Sequence, residues 1–270
     1  FIKYCCLFTF VLYNVQLTSG QTILGTELAI TTESKEGEIR FYATNQDFID
    51  MQVELKLFDA KSGDEIASES YHIIPAKSSN LFFRSVSHSR TIRYSYRYMM
   101  GNPMEAKHES GYVYNLPYGN GTKFRVVQGN GGKFSHENRF AIDFAMPDGT
   151  PVHAARSGVV IRIKTDSQKG GKNPSFAEDG NYISILHNDG TIAHYVHLRT
   201  GGSVVRLGER IQKGRLIGYS GNTGFSTEPH LHFEVQKPEK MKLITIPVKF
   251  RLDLNKTGIP ETGKVYTSWH

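Results

Sequence analysis

The chain of 270 residues is long enough for two ordinary domains, and a composition of 39% hydrophobic and 21% charged residues excludes a disordered or low-complexity protein. The formal net charge of +6 is unevenly spread: residues 21–115 carry 10 basic and 13 acidic side chains, residues 116–270 carry 21 and 13. A basic C-terminal half favours an anionic partner such as a cell-wall polymer, a membrane surface or a nucleic acid.

The first twenty residues, FIKYCCLFTFVLYNVQLTSG, place one early lysine before an apolar stretch and end on the small residues Ser19 and Gly20. This is the pattern of a secretory signal peptide cut near Gly20–Gln21. Asn14 and Gln16 interrupt the stretch, which makes it a poor membrane span. Both cysteines, Cys5 and Cys6, lie within it, so the expected mature chain has no disulfide, thiolate metal ligand or cysteine nucleophile. An exported protein without disulfides fits a bacterial envelope.

Residues 21–115 alternate as half-buried strands do. In MQVELKLF the apolar positions are Met51, Val53, Leu55 and Leu57; in IRYSYRYM they are Ile92, Tyr94, Tyr96 and Tyr98. GEIRFYAT and YHIIPA add further strands, and the segment reads as a small β-sandwich-like accessory domain. Its histidines, His72, His88 and His108, are isolated from one another. The glycine-rich stretch 116–132 reads as a linker, and no Gly-Lys-Ser/Thr follows to make it a phosphate loop.

Residues 133–270 continue in strands, making the whole chain all-β. RFAIDFAMP runs into GTPVHAARSGVVIRIK. NYISILH and TIAHYVHL flank the hairpin signal Asn188-Asp189-Gly190, and GERIQKGRLIGYSG resembles another hairpin before PHLHFEVQKP. Eight of the 11 histidines fall after residue 115. Those in strand contexts beside other functional groups are His136 with Asp143, His194 with His197, and His230 with His232. Along a strand, residues i and i+2 share a face, so His230 and His232 leave the sheet together while Leu231 and Phe233 enter a core.

This supply suits a catalytic zinc site, which takes three ligands from His, Asp or Glu and keeps a position open for water. Other templates fit poorly. SHENRF has Phe140 where His-Glu-x-x-His needs its second histidine, and GYSGN lacks the last glycine of a nucleophile elbow.

Three blocks, FAIDFAMPDGTPVHAARSGVV, YVHL and GYSGNTGFSTEPHLHFEV, resemble in order those of the lysostaphin/LytM-type zinc metallopeptidases, over roughly residues 125–240. The resemblance implies an antiparallel β-sheet peptidase domain with zinc held by His136, Asp143 and His232, and with His197 and His230 as catalytic histidines. It also implies hydrolysis of peptide cross-links in bacterial peptidoglycan by an exported enzyme. A second reading is an inactive relative that binds peptidoglycan or activates another hydrolase. A nucleic-acid-binding β module rests on charge alone, and no nucleic-acid partner is expected.

One departure stands out: the family spaces its first ligand as His-x-x-x-Asp, and that position here is Arg139, which stays protonated and cannot ligate. His136, three residues upstream, is expected to take its place across a longer loop. Glu228 stands where the family often has glycine, and Asn181 matches a position that orders the groove. His194 and His187 are expected in structural roles, and His153 is expected to face solvent.

Overall fold

The computed structural model describes residues 28–86 and 91–269. The signal peptide expected at 1–20, with Cys5 and Cys6, and His88 lie outside the described residues. The chain divides into two compact units, one of residues up to Asn102 with Glu239–Lys242, the other of Pro103–Pro238 and the residues from Leu243 onward.

The first unit contains β1 (Leu28–Lys35), β2 (Glu38–Asn45), β3 (Met51–Asp59), β4 (Glu65–Ile74), β5 (Ser78–Val86) and β6 (Ile92–Met100). They form two antiparallel sheets, ordered β1-β2-β5 and β4-β3-β6. Alternation does the sorting: Val53, Leu55 and Leu57 of β3 are almost fully buried, and Leu55 and Leu57 join Phe41 of the other sheet in one core, flanked by Phe83 and Tyr94. This is the expected sandwich.

In the second unit the strands are β7 (Val113–Tyr114), β8 (Lys123–Gln128), β9 (Ala141–Phe144), β10 (Pro151–His153), β11 (Gly158–Lys164), β12 (Gly170–Gly171) and β13 (Tyr182–Leu186). There follow β14 (Ile192–Val196), β15 (Leu198–Ser203), β16 (Arg210–Ile211), β17 (Leu216–Ser220), β18 (Gly224–Phe225), β19 (Leu231–Glu239), β20 (Lys242–Thr245), β21 (Lys249–Arg251), β22 (Thr257–Gly258) and β23 (Val265–Thr267). Nine of them make one sheet in the order β16-β11-β13-β14-β19-β9-β8-β23, with β20 beside β19. Its middle strands pair antiparallel, and Leu231, Phe233 and Val235 of β19 pack with Ala193 and Tyr195 of β14 in the main core. The opposite face of the same strands is left for polar groups. No described helix is long and apolar enough to cross a membrane.

Two local expectations change. The stretch 116–132, read as a linker, carries β8 inside the nine-stranded sheet, and its glycines serve turns such as those at Gly121 (φ 76°) and Gly131 (φ 67°). GERIQKGRLIGYSG does not close on itself as a hairpin: β16 pairs with β11, whereas β17 pairs with β10 and β15. The hairpin at Asn188-Asp189-Gly190 is present, with Gly190 at φ 77° and His187 N–H donating to Thr191 O at 2.8 Å.

Candidate metal centre and cleft

Strand register builds the site. On β19, His232 lies opposite Asp143 of β9 on one side and Val196 of β14 on the other, and Asp143 in turn faces Gln128 of β8. Cross-strand neighbours share a face, so one row across four strands brings carboxylate, imidazole and amide together. One step along, Glu234 faces His194 and Ala141 in a second row.

His136 enters from outside the sheet. The loop after β8 folds back on itself: Gly131 N–H donates to Arg139 O at 2.9 Å, His136 N–H to Gly132 O at 3.0 Å, and Asn138 takes a left-handed conformation (φ 58°). This compact turn brings a histidine seven residues before Asp143 into the site, with its ring fully buried. Gln128 ties the turn down. Its Oε1 accepts from Phe134 N–H at 3.1 Å, while Nε2 donates to Ser135 Oγ at 2.7 Å and to Asp143 Oδ2 at 3.2 Å.

Three atoms then converge. His136 Nε2 lies 3.2 Å from Asp143 Oδ1 and 3.2 Å from His232 Nδ1, and His232 Nδ1 lies 2.9 Å from Asp143 Oδ1. The outer nitrogens are already engaged: His136 Nδ1 is 3.0 Å from Gly129 O, and His232 Nε2 is 3.3 Å from Glu234 Oε2. Both partners are acceptors, so these outer nitrogens hold the protons and the inner ones present lone pairs. Two imidazole lone pairs and a carboxylate oxygen aimed at one another require a positive charge between them. A metal bound tetrahedrally at about 2.0–2.2 Å needs ligand atoms about 3.3–3.6 Å apart, within a few tenths of an ångström of the spacing here. The donor set of two nitrogens and one oxygen therefore fits a metal ion, and these three residues form the metal-competent cluster found among the described residues.

The electrostatics agree. Burial raises the Asp143 carboxyl, but hydrogen bonds from His136 and His232 outweigh it and hold the group well below its ordinary value. Burial lowers the His232 imidazole, and the Asp143 and Glu234 carboxylates more than offset this, pushing it up to about 9.

His197 and His230 stand beside the cluster, their rings 4.6 Å apart, with His197 5.9 Å from the His232 ring. His197 directly follows β14 in a left-handed backbone conformation (φ 66°), which turns its ring out of the strand's alternation. Its Nδ1–H donates to Thr223 O at 2.6 Å. Thr223 is itself held through its Oγ1, which accepts from Asn181 N–H at 2.9 Å and donates to Leu198 O at 2.7 Å. Asn181 also fixes the neighbouring loop through both its amide atoms on Ser167. His230 Nδ1 lies 2.8 Å from Glu228 O, and its Nε2 lies 3.8 Å from Asp143 Oδ1. Both histidines thus keep Nε2 as the free ring nitrogen. Burial, with His230 and His232 nearby, pushes His197 down to about 3, so it is neutral at ordinary pH.

All five predicted site residues are brought together. Four of them line a cleft of about 220 Å³, whose rim carries Phe134 stacked on Phe225 with ring centroids 5.4 Å apart; His136 is buried behind it. The other histidines lie apart. His187 Nδ1 donates to Ser157 O at 2.9 Å, and His194 Nδ1 lies 2.9 Å from Ser184 Oγ, so both take structural places. His153, expected to face solvent, is half-buried beside Gly119. Sequence reasoning missed Gln128 and Glu234. Glu234 had a signal, since it continues the period-two face of His230 and His232; Gln128 had none, because its alignment with Asp143 depends on a break in register between Val126 and Gln128.

The profile of Peptidase family M23 matches residues 137–243, beginning one residue after His136. Glycyl-glycine endopeptidase ALE-1 of Staphylococcus capitis is 34% identical over 131 residues, which are 48% of this chain and 32% of that protein. Peptidoglycan DD-endopeptidase ShyA of Vibrio cholerae is 41% identical over 93 residues, 34% of this chain and 19% of that protein. The match thus spans less than a third of each of these curated relatives. The catalytic domain of lysostaphin from Staphylococcus simulans is 29% identical, covering 52% of this chain and 95% of that domain, with a TM-score of 0.32.

Proposed function

We propose that the chain, whose residues 137–243 match the model of Peptidase family M23, is an exported zinc metalloendopeptidase that hydrolyses peptide cross-links of bacterial peptidoglycan. The observation that carries this reading is the convergence of three lone-pair donors, His136 Nε2, Asp143 Oδ1 and His232 Nδ1, beside two further histidines in one cleft. Relatives named as glycyl-glycine and peptidoglycan DD-endopeptidases support the substrate class.

In this reading His136, Asp143 and His232 hold the zinc. When bound, the ion supplies Lewis acidity that polarises a scissile carbonyl and makes hydroxide available near neutral pH. The chain's own groups handle the protons. His197, anchored through Nδ1–H on Thr223 O, offers Nε2 to accept a proton from the attacking water. The proton taken up on His197 Nε2 can then pass to the departing amine, and His230, anchored on Glu228 O, offers a second Nε2 close by that can donate to the developing oxyanion once it carries a proton. Val196 and the Phe134–Phe225 stack supply apolar walls that limit water in the cleft.

Incubating the purified full chain with isolated peptidoglycan, with and without a zinc chelator, tests the proposal by mass spectrometry of released fragments. New peptide termini that disappear with chelator and return with zinc are the expected result. Intact wall across several cross-link types, from a protein that also holds no zinc, would overturn it and leave a binding or activating role.

A further inference from the structure

Arg139 occupies the sequence position from which the resembling family draws its first ligand, yet it is neither a ligand nor a free surface cation. Its Nη2 lies 2.7 Å from Glu234 Oε1 and 2.6 Å from Glu234 Oε2. Glu234 is 2% exposed, and its Oε2 faces His232 Nε2 at 3.3 Å, while Gln236 Nε2 donates to Oε1 at 2.6 Å. The backbone of Arg139 meets the other histidine of the cluster: its N–H donates to His136 O at 2.9 Å, and its carbonyl closes the loop by accepting from Gly131 N–H. One residue therefore touches the supports of both histidines.

We infer that Arg139 is a positioning residue: by compensating the buried Glu234 carboxylate it keeps the proton of His232 on Nε2 and so aims the bare Nδ1 at His136 Nε2 and Asp143 Oδ1. The chemistry is that of a carboxylate behind a metal-bound histidine, with a guanidinium behind the carboxylate. The Glu234 carboxylate meets Arg139 Nη2 on both oxygens, Gln236 Nε2 on Oε1 and His232 Nε2 on Oε2, so Arg139 fixes the oxygen that faces His232. In this arrangement His136, three residues upstream, supplies the first lone pair, and Arg139 instead braces the other histidine through Glu234. The inference rests on the zinc reading above, and its test is separable from it.

The experiment measures zinc affinity of the full chain by competition with a chromogenic chelator, for wild type, Arg139→Gln, Arg139→Lys and Glu234→Gln. It adds nitrogen-15 imidazole NMR of the zinc-loaded proteins, which reports whether the His232 Nε2–H is hydrogen-bonded and shielded from exchange. Arg139→Gln and Glu234→Gln are expected to weaken zinc binding about 10- to 100-fold, with Arg139→Lys retaining most of the affinity because it restores the charge. The protected His232 Nε2–H resonance is expected in wild type and lost in Glu234→Gln. Wild-type affinity and an unchanged resonance in Arg139→Gln would overturn the inference. So would unchanged affinity with a raised KM, which would make Arg139 a substrate contact. Should Arg139→Gln not fold, Arg139→Lys and Glu234→Gln carry the comparison. A wild type that binds zinc but cuts no wall sinks the proposed function and leaves this inference standing.

Discussion

The site and the β13–β14 turn belong to the same sheet and both hold buried histidine, yet they use it in opposite ways. At the site, His136, His197 and His230 anchor Nδ1 on the backbone carbonyls of Gly129, Thr223 and Glu228, leaving Nε2 directed at other polar groups or at open space. At the turn, His187 anchors Nδ1 on Ser157 O in the same manner, but its ring packs edge-on against Tyr114 and its Nε2 is buried without a partner among the described residues. The anchoring bond does not distinguish a chemical histidine from a structural one. What the second nitrogen meets does: lone pairs and a carboxylate in one case, an aromatic core in the other. The difference is made by strand register and by loop conformation rather than by the residue.

Removing a converging lone pair should have the largest effect. His232→Ala and Asp143→Ala are each expected to abolish zinc binding and peptidoglycan cleavage together, measured as bound metal per chain and as released peptide termini. Retained stoichiometric zinc in His232→Ala would show that the cluster is not the metal site. His197→Ala should instead keep its zinc and lose on the order of 10²–10⁴ in rate, the scale of a general acid–base group. Wild-type rates in the zinc-loaded variant would remove His197 from the chemistry and erase its contrast with His187.

How far this contrast can be read without coordinates depends on the residue. Alternation alone places His230, His232 and Glu234 on one strand face, and the serial blocks supply Asp143 and His197. Spacing could not decide whether His136 reaches the cluster, because that depends on a loop closed by a Gly131–Arg139 hydrogen bond and a left-handed Asn138. Glu234 was overlooked because a glutamate on a strand is by default a solvated one; only Arg139 and Gln236 closing over it make it a buried partner of His232. The glycines of 116–132 are ambiguous in sequence for a related reason. Glycine marks turns as readily as linkers, and here the turns flank a strand of the main sheet.

A finer distinction lies within the site, between the three groups whose lone pairs converge and the groups that aim them. Gln128 holds Asp143 Oδ2 and the 133–136 turn at once, so Gln128→Ala should loosen both the carboxylate and His136. The expected result is zinc affinity weakened by about 10-fold or more, with the fold retained, read by chelator competition beside circular dichroism. Unchanged affinity would mean that the loop's backbone bonds suffice to position His136, and that the amide only fills space. Its neighbour Gly132 offers a control: a Cβ there would overlap the Gln128 side chain, so Gly132→Ala should reproduce part of the same loss.

The smallest effect belongs to the turn. Burial, reinforced by the Arg156 charge, pushes His187 down to about 4 against an ordinary value near 6.5, so the folded protein resists protonating it while the unfolded chain does not. The unfolded state therefore binds more protons between those two values. The stability His187 confers is complete above about pH 6.5 and is lost as pH falls toward 4, reaching a loss of about 2 kcal/mol near pH 5. His187→Asn keeps a donor for Ser157 O but cannot titrate, so its melting temperature should fall less between pH 7 and pH 5 than that of wild type. The reference slope is steeper than His187 alone would produce, because burial lowers His194 and His197 in the same direction. The difference between the two proteins is thus the quantity to read, and equal pH slopes would show that the turn histidine exchanges protons as freely as one in open solution.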